Sequence, residues 1–224
     1  MAKAKTKAHT RYRLKPNEDY PKGQIVPGVT TIIDSQSGWN KRTLISWARK
    51  EALAGNDPDK ILEEAGNVGT CTHYLIQCHI NGVKPDLSGF TSDQIEKAET
   101  GFLAFLEWEK GAQLTYEHIE LPVVSEKYCY GGTIDMIARK DGELWLCDIK
   151  TSRSIYSEHI IQLAAYYRAY VEQEQKQLHK FLLLHIGKND GSFAAHQIAG
   201  PKIATAWEVF EHLRALYDLE REMK

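Results

Sequence analysis

The sequence predicts an α/β fold in which a mixed β-sheet is flanked by helices, with its central elements in the order α-β-β-β-α-β. Three observations predict it. Apolar residues recur at three- and four-residue spacing over much of 41–110, and the period then switches to two across 114–151. Asp141-Gly142 within that stretch is a hairpin signal. A further helical stretch then leads into the apolar run from Phe181 to Ile186. A helix returning the chain to another strand favours a sheet covered on both faces.

Taken in order, 25–33 is β-branched and interrupted by Pro27-Gly28, and reads as an irregular strand or loop. A helix is expected over 41–53, where Leu44, Trp47, Ala48 and Ala52 share a face. After the break at Asn56-Asp57-Pro58, a helix over 58–80 is expected to be loosened at Gly66 and Gly69 and ended by Asn81-Gly82. The next helix, 92–110, takes Ser92 as its cap and Gly111 as its stop. Strands are expected over 114–124, 130–139 and 143–151, followed by a helix over 157–175 and a strand over 181–186. A turn at Asn189-Asp190-Gly191 precedes a short strand over 193–198, and a last helix starts near Pro201.

A chain of 224 residues buries one substantial core and is short for two. The expected organisation is a flexible basic tail over 1–24 and one domain over 25–224: a helical extension (25–90), a core (91–198) and a C-terminal helix (199–224). Lysines and arginines total 28 against 30 acids, a net charge of -2, so any contact with nucleic acid rests on a local patch or on metal ions. Lys3, Lys5, Lys7, Arg11, Arg13 and Lys15 stand without an acid among them. They read either as a solubilising tail or as a basic arm along phosphates. No apolar run reaches the roughly 18–20 residues of a membrane span, and no secretory signal is seen, so a soluble, cytoplasmic protein with no membrane partner is expected. Cys71, Cys78, Cys129 and Cys147 form no C-x-x-C pair, which argues against a zinc knuckle or disulfide framework.

The chemistry concentrates in the hairpin. A two-residue turn at Asp141-Gly142 pairs Lys140 with Glu143 and, further down the ladder, Asp135 with Asp148. Opposed residues have Cβ atoms about 4.5–5.5 Å apart, so two carboxylates there repel unless something positive lies between them. Lys150 lies two residues beyond Asp148 on the same face, opposite Thr133. Burying opposed acids among Ile134, Met136, Leu146 and Ile149 is costly, and a divalent cation resolves the conflict. Oxygen-rich sites suit Mg²⁺ or Mn²⁺. Glu120 on the preceding strand reads equally as an added carboxylate, orienting a water, or as an exposed strand acid. Gln162 and Tyr166, four apart, share a helix face. His73 by itself is ambiguous.

Four motifs occur in register: G-T-x-x-H at Gly69 to His73, G-G-T-x-D at Gly131 to Asp135, D-I-K-T-S at Asp148 to Ser152, and Q-L-A-A-Y at Gln162 to Tyr166. Together they resemble the RecB-type, Cas4-like branch of the PD-(D/E)xK nucleases, which have a restriction-endonuclease-like core. V-P-G-V-T-T-I from Val26 and L-I-S-W-A from Leu44 resemble small phage exonucleases and the mitochondrial genome maintenance exonuclease. The resemblance spans roughly residues 25 to 198. It implies metal-dependent phosphodiester hydrolysis, with Asp135, Asp148, His73 and the backbone carbonyl of Ile149 holding Mg²⁺ or Mn²⁺. Lys150 would hold or deprotonate the attacking water, or stabilise phosphoryl charge. Thr151, Ser152, Gln162 and Tyr166 would hold the strand. Single-stranded DNA is the implied substrate and exonuclease action the implied mode, in replication, recombination or repair and beside a protein partner from those processes. Helices from 41 to 80 would form an arch over the strand. If the gene is phage-borne, the compartment is the host cytoplasm; organelle targeting stays open. Ile134 replaces the namesake proline, and the second acid is Asp rather than Glu. No cysteine follows Cys147, so no iron-sulfur cluster is expected. An endonuclease, a duplex-resecting exonuclease, a non-catalytic DNA-binding accessory protein and an unrelated α/β protein with a chance D-x-K remain the competing readings.

Overall fold

The computed structural model describes residues 11–188 and 190–224. The chain opens with a short antiparallel pair, β1 (Tyr12–Arg13) and β2 (Ile25–Val26), joined through Tyr12↔Val26 and Arg13↔Ile25. Tyr12 is buried, and its hydroxyl lies 2.9 Å from Thr133 Oγ1. The flexible tail expected to residue 24 is therefore corrected from Tyr12 onward, where an aromatic side chain packs against the sheet. Lys3, Lys5 and Lys7 lie outside the described residues.

The expectation of an irregular strand or loop over 25–33 holds for Ile25–Val26, which form β2, and is overturned from Val29 onward. After β2 the chain forms helix α1 (Val29–Gln36), which buries Val29, Ile32 and Ile33. Those three stand at helical spacing, so burying one face outweighs the modest β preference of Val and Ile. Helix α2 (Lys41–Leu53) follows, and none of its residues is buried; Leu44 and Ile45 are at least half exposed.

Helix α3 (Pro58–Ile80) starts where expected. The Asp57 side chain accepts from the Asp59 and Lys60 amides at 3.1 and 3.4 Å, and Pro58 occupies the first turn, where a missing N–H costs nothing. It runs unbroken through Gly66 and Gly69, so the expected loosening is absent. Helix α4 (Ser92–Ala112) is capped by Thr91 rather than Ser92: Thr91 Oγ1 accepts from the Gln94 amide at 3.3 Å, and Gln94 Oε1 accepts from the Thr91 amide at 3.0 Å. Gly111 lies inside the helix, and the chain leaves it at Gln113 in the left-handed region.

One five-stranded sheet carries the core, in the order β3 (Thr115–Ser125), β4 (Tyr130–Lys140), β5 (Glu143–Lys150), β6 (Lys180–Ile186) and β7 (Phe193–Gln197). The pairing is antiparallel except for β5 with β6, which lie parallel across helix α5 (Ser157–Glu174). Asp141 and Gly142 both have positive φ, 51° and 81°, so the turn has the backbone twist that two-residue hairpins favour. It pairs Lys140 with Glu143, and the ladder continues to Met136↔Cys147. Of the turn expected at 189–191, Asn189 lies outside the described residues, while Gly191 has φ +62°.

Helices α1, α5 and the C-terminal helix α6 (Gly200–Glu222) cover one core, where Ile32, Leu163 and Phe210 meet Ile137, Leu146 and Leu183. Helices α3 and α4 supply Ile76 and Phe105 to a second core with Met136, Cys147, Ile149 and Leu184. Among the described residues, no helix is long and apolar enough to cross a membrane.

The burial of α1 has a measurable consequence. Ile32→Ala should cost about 2–5 kcal/mol, as for other fully buried aliphatics, while exposed Thr30→Ala should change stability by less than about 0.5 kcal/mol. Urea unfolding of the two variants checks this.

Candidate active site

The sheet places two carboxylates in its apolar interior. Asp135 is 2% exposed between Ile134 and Met136, and Asp148 is 1% exposed between Cys147 and Ile149. Continuing the β4–β5 register one step past Met136↔Cys147 brings the two acids opposite each other, and there the backbone pairing gives way. The Ile149 amide donates instead to Asp135 Oδ2 at 2.7 Å. A buried carboxylate thus gains a charge-assisted hydrogen bond at the position where the ladder ends.

The two acids face different neighbours. Asp135 Oδ2 lies 3.6 Å from His73 Nδ1 on α3, and Asp148 Oδ2 lies 2.5 Å from Lys150 Nζ. Lys150 donates to Gln162 Oε1 at 2.8 Å, and Gln162 Nε2 donates to the Tyr166 hydroxyl at 2.7 Å. A continuous polar chain therefore runs from Asp148 through the ammonium to α5. Every long side chain in it is held at both ends, which removes the rotamer freedom that otherwise costs a lysine or glutamine its precision.

Glu120 joins the first group. Its φ of 52° is left-handed inside a strand, a departure worth of order 1–3 kcal/mol for a non-glycine residue. Ligand atoms of His73, Glu120 and Asp135 all lie within 4.8 Å of one another. Two carboxylate oxygens and one imidazole nitrogen fit a divalent ion, because a small octahedral cation with bonds of about 2.0–2.1 Å separates its ligand atoms by roughly 3–4 Å. Asp148 is not in that group. Where His73, Asp135 and Asp148 were the expected ligands, the structure gathers Glu120 with His73 and Asp135, and Asp148 faces Lys150.

A cavity of about 660 Å³ opens over these residues, and His73, Glu120, Asp148, Lys150, Thr151 and Gln162 line it. Ser152 and Ile149 also reach it. Tyr166 does not: it is 3% exposed, and its ring lies against Gly132, where a Cβ would come within 2.3 Å. Of the four strand-holding residues expected, Tyr166 is therefore placed to hold Gln162 from below. Gly69 is likewise a clearance, since a Cβ there would stand 2.6 Å from Thr151 Oγ1. The glycines of two motifs let side chains of the other two approach.

Sequence reasoning passed over Lys188, Glu63 and His159. The first two line the cavity. Lys188 lies in the turn after β6, and nothing in the residues around it signals that its side chain folds back toward α3. His159 is held neutral: burial first, then the charges of Lys150 and His185, push its pKa down to about 3. Its Nδ1 accepts from the Tyr156 amide at 3.2 Å at the start of α5. Beneath the acids, burial and then the charges of Asp148 and Asp135 push the Cys147 thiol up to about 12, so it stays protonated.

No sequence profile of a known protein family matches the chain. No curated protein matches it in sequence either. Among solved structures, a candidate exonuclease from Eubacterium rectale aligns over 66% of this chain at 15% identity and a TM-score of 0.48; the chain spans 64% of that protein. LHK-Exo, solved in complex with dAMP, aligns over 71% of this chain and 88% of its own length at 14% identity and a TM-score of 0.35.

His159 makes the fold acid-sensitive. Its folded pKa of about 3 lies below the ordinary histidine value of 6.5, so the unfolded chain binds the extra proton between those values and stability falls as pH drops through that window. His159→Gln keeps an N3 side chain able to accept from the cap amide without titrating. Urea midpoints from pH 7 to pH 4 should therefore fall less steeply in this variant, by up to about 1.4 kcal/mol per pH unit. Parallel curves would exclude the effect.

Proposed function

We propose that this chain is a divalent-metal-dependent nuclease that hydrolyses phosphodiester bonds of single-stranded DNA from a free end. The observation that carries the reading is the convergence, in one cavity, of His73, Glu120 and Asp135 beside the Asp148–Lys150 pair. That combination supplies metal ligands and a fixed ammonium side by side, which phosphoryl transfer to water requires. The motifs shared with RecB-type PD-(D/E)xK nucleases point the same way.

His73, Glu120 and Asp135 would hold Mg²⁺ or Mn²⁺, which when bound would supply Lewis-acid activation of water and neutralise charge on the phosphoryl oxygens. Lys150, locked between Asp148 and Gln162, positions the attacking water or stabilises the charge that grows on the phosphoryl group. Asp148 keeps that ammonium directed. Tyr166 holds Gln162, and Thr151 and Ser152 offer hydroxyls to the strand.

The preference for a single strand rests on the helical extension. Asn40, at the head of α2, donates to Glu158 at the head of α5 at 2.7 Å, and the other end of α2 leads into α3. Helix α2 thus links the two helices that wall the cavity and has none of its own residues buried. A flexible strand would pass beneath a helix joined at both ends more readily than a duplex would.

Linear single strands labelled at one end, incubated with Mg²⁺ or Mn²⁺, should release short products, while circular strands should stay intact. Cutting of circles would replace exonuclease with endonuclease action, and stable linear strands would sink the nuclease reading. Lys150→Ala and Asp148→Asn should each lower kcat by about 10²–10³ while keeping the wild-type circular dichroism spectrum. His73→Ala should raise the metal concentration needed for half-maximal activity at least about tenfold, and EDTA should abolish activity in every variant.

A further inference from the structure

Lys188 stands in the turn between β6 and β7, where a lysine ordinarily extends into water. Its side chain instead folds back onto α3 and donates to the Ala65 carbonyl. Burial lowers its pKa, and no carboxylate forms an ion pair with it among the described residues. A partly desolvated ammonium with only a neutral carbonyl for a partner is held at a cost that a bound anion would offset.

Its position says which anion. Lys188 Nζ and Thr151 Oγ1 lie 3.7 and 2.6 Å from the point a Cβ on Gly69 would occupy, so an ammonium and a hydroxyl converge over a bare stretch of α3. Lys188 also lies on the boundary of two cavities. It lines the one that holds Asp148 and Lys150, and with Ala65 it lines a neighbouring cavity of about 550 Å³ walled by Lys60, Ile61, Val68 and Lys97. A polyanionic chain running from the first cavity into the second passes this ammonium; Glu64 also lines the second cavity but accepts from Gln94 at 2.7 Å, Lys97 is paired with Asp93, and the apolar side chains of Ile61 and Val68 suit the face of a base.

We propose that Lys188, with the Thr151 hydroxyl beside it, binds the backbone phosphate next to the scissile one, and that the adjoining nucleotide occupies the Lys60–Lys97 cavity. This rests on the nuclease reading above for what is cut, though not for what is bound. Lys188 acts on affinity for the strand and not on the bond-breaking step.

The test compares Lys188→Gln, which keeps a donor toward Ala65 but removes the charge, with Lys188→Arg, which keeps the charge. Substrates are a linear single-stranded oligonucleotide and the p-nitrophenyl ester of thymidine 5′-monophosphate, which has one phosphodiester and no neighbouring phosphate. On the oligonucleotide, Lys188→Gln should raise KM by about 10- to 100-fold with kcat within about twofold, and Lys188→Arg should recover most of the loss. On the ester it should match wild type. The salt slope of oligonucleotide affinity should fall by about 0.7. Equal losses on both substrates would mean a structural role and would overturn the proposal, as would an unchanged oligonucleotide KM. Fluorescence anisotropy in EDTA, where no cleavage runs, separates the two readings. Wild type that binds the strand without ever cutting it, weakened about tenfold by Lys188→Gln, would uphold the phosphate site and sink the nuclease. Wild type that cuts, with a Kd unmoved in Lys188→Gln, would do the reverse.

Discussion

The hydrogen bond from the Ile149 amide to Asp135 Oδ2 is the constraint on which the rest of the site depends. Two carboxylates are buried at the centre of an apolar sheet, where an ionised group without compensation costs several kcal/mol. The strand pairing is given up at that point, and a backbone donor goes to the acid. This is possible only because the Asp141-Gly142 turn holds the β4–β5 ladder in register up to Met136↔Cys147. A slip of one residue between the strands would put the two acids on opposite faces and leave the amide facing an aliphatic side chain.

From this point the polar groups divide. Asp135 looks toward His73 and Glu120, and Asp148 toward Lys150, Gln162 and Tyr166. The division separates a set suited to holding a cation from a set suited to holding an ammonium, although only the sheet surface lies between them. Helices from opposite faces supply the outer members: His73 comes from α3 and Gln162 from α5. Close approach makes this feasible. Gly132 admits the Tyr166 ring, Gly69 admits Thr151, and Gly131 admits Tyr12, each where a methyl group would overlap its neighbour.

Much of the scaffold could be read from residues alone. The bounds of α2 and α3 follow from apolar spacing and from Asp57-Pro58, and the hairpin follows from its two turn residues, because capping and turn geometry are decided within a few residues of chain. Segments whose state depends on distant partners were less legible. Helix α1 is β-branched and exists because its buried face packs against α5 and α6, and Tyr12 is ordered by a hydroxyl on a strand far along the chain. Thr91 prevails over Ser92 as a cap because Gln94 completes the reciprocal pair with it.

By itself the sequence determined the order of elements from α2 onward, the register of the acidic hairpin and the candidacy of Asp135, Asp148 and Lys150, since strand periodicity and turn type act locally. Only the tertiary structure decided which carboxylate stands with His73, that Glu120 swings to join it through a left-handed backbone, that Tyr166 supports Gln162 from beneath, and that Lys188 returns to the cavity mouth. Those outcomes depend on how helices seat on the two faces of the sheet, on approaches at glycines too close for a methyl group, and on the removal of charged groups from water. Spacing along the chain records none of these.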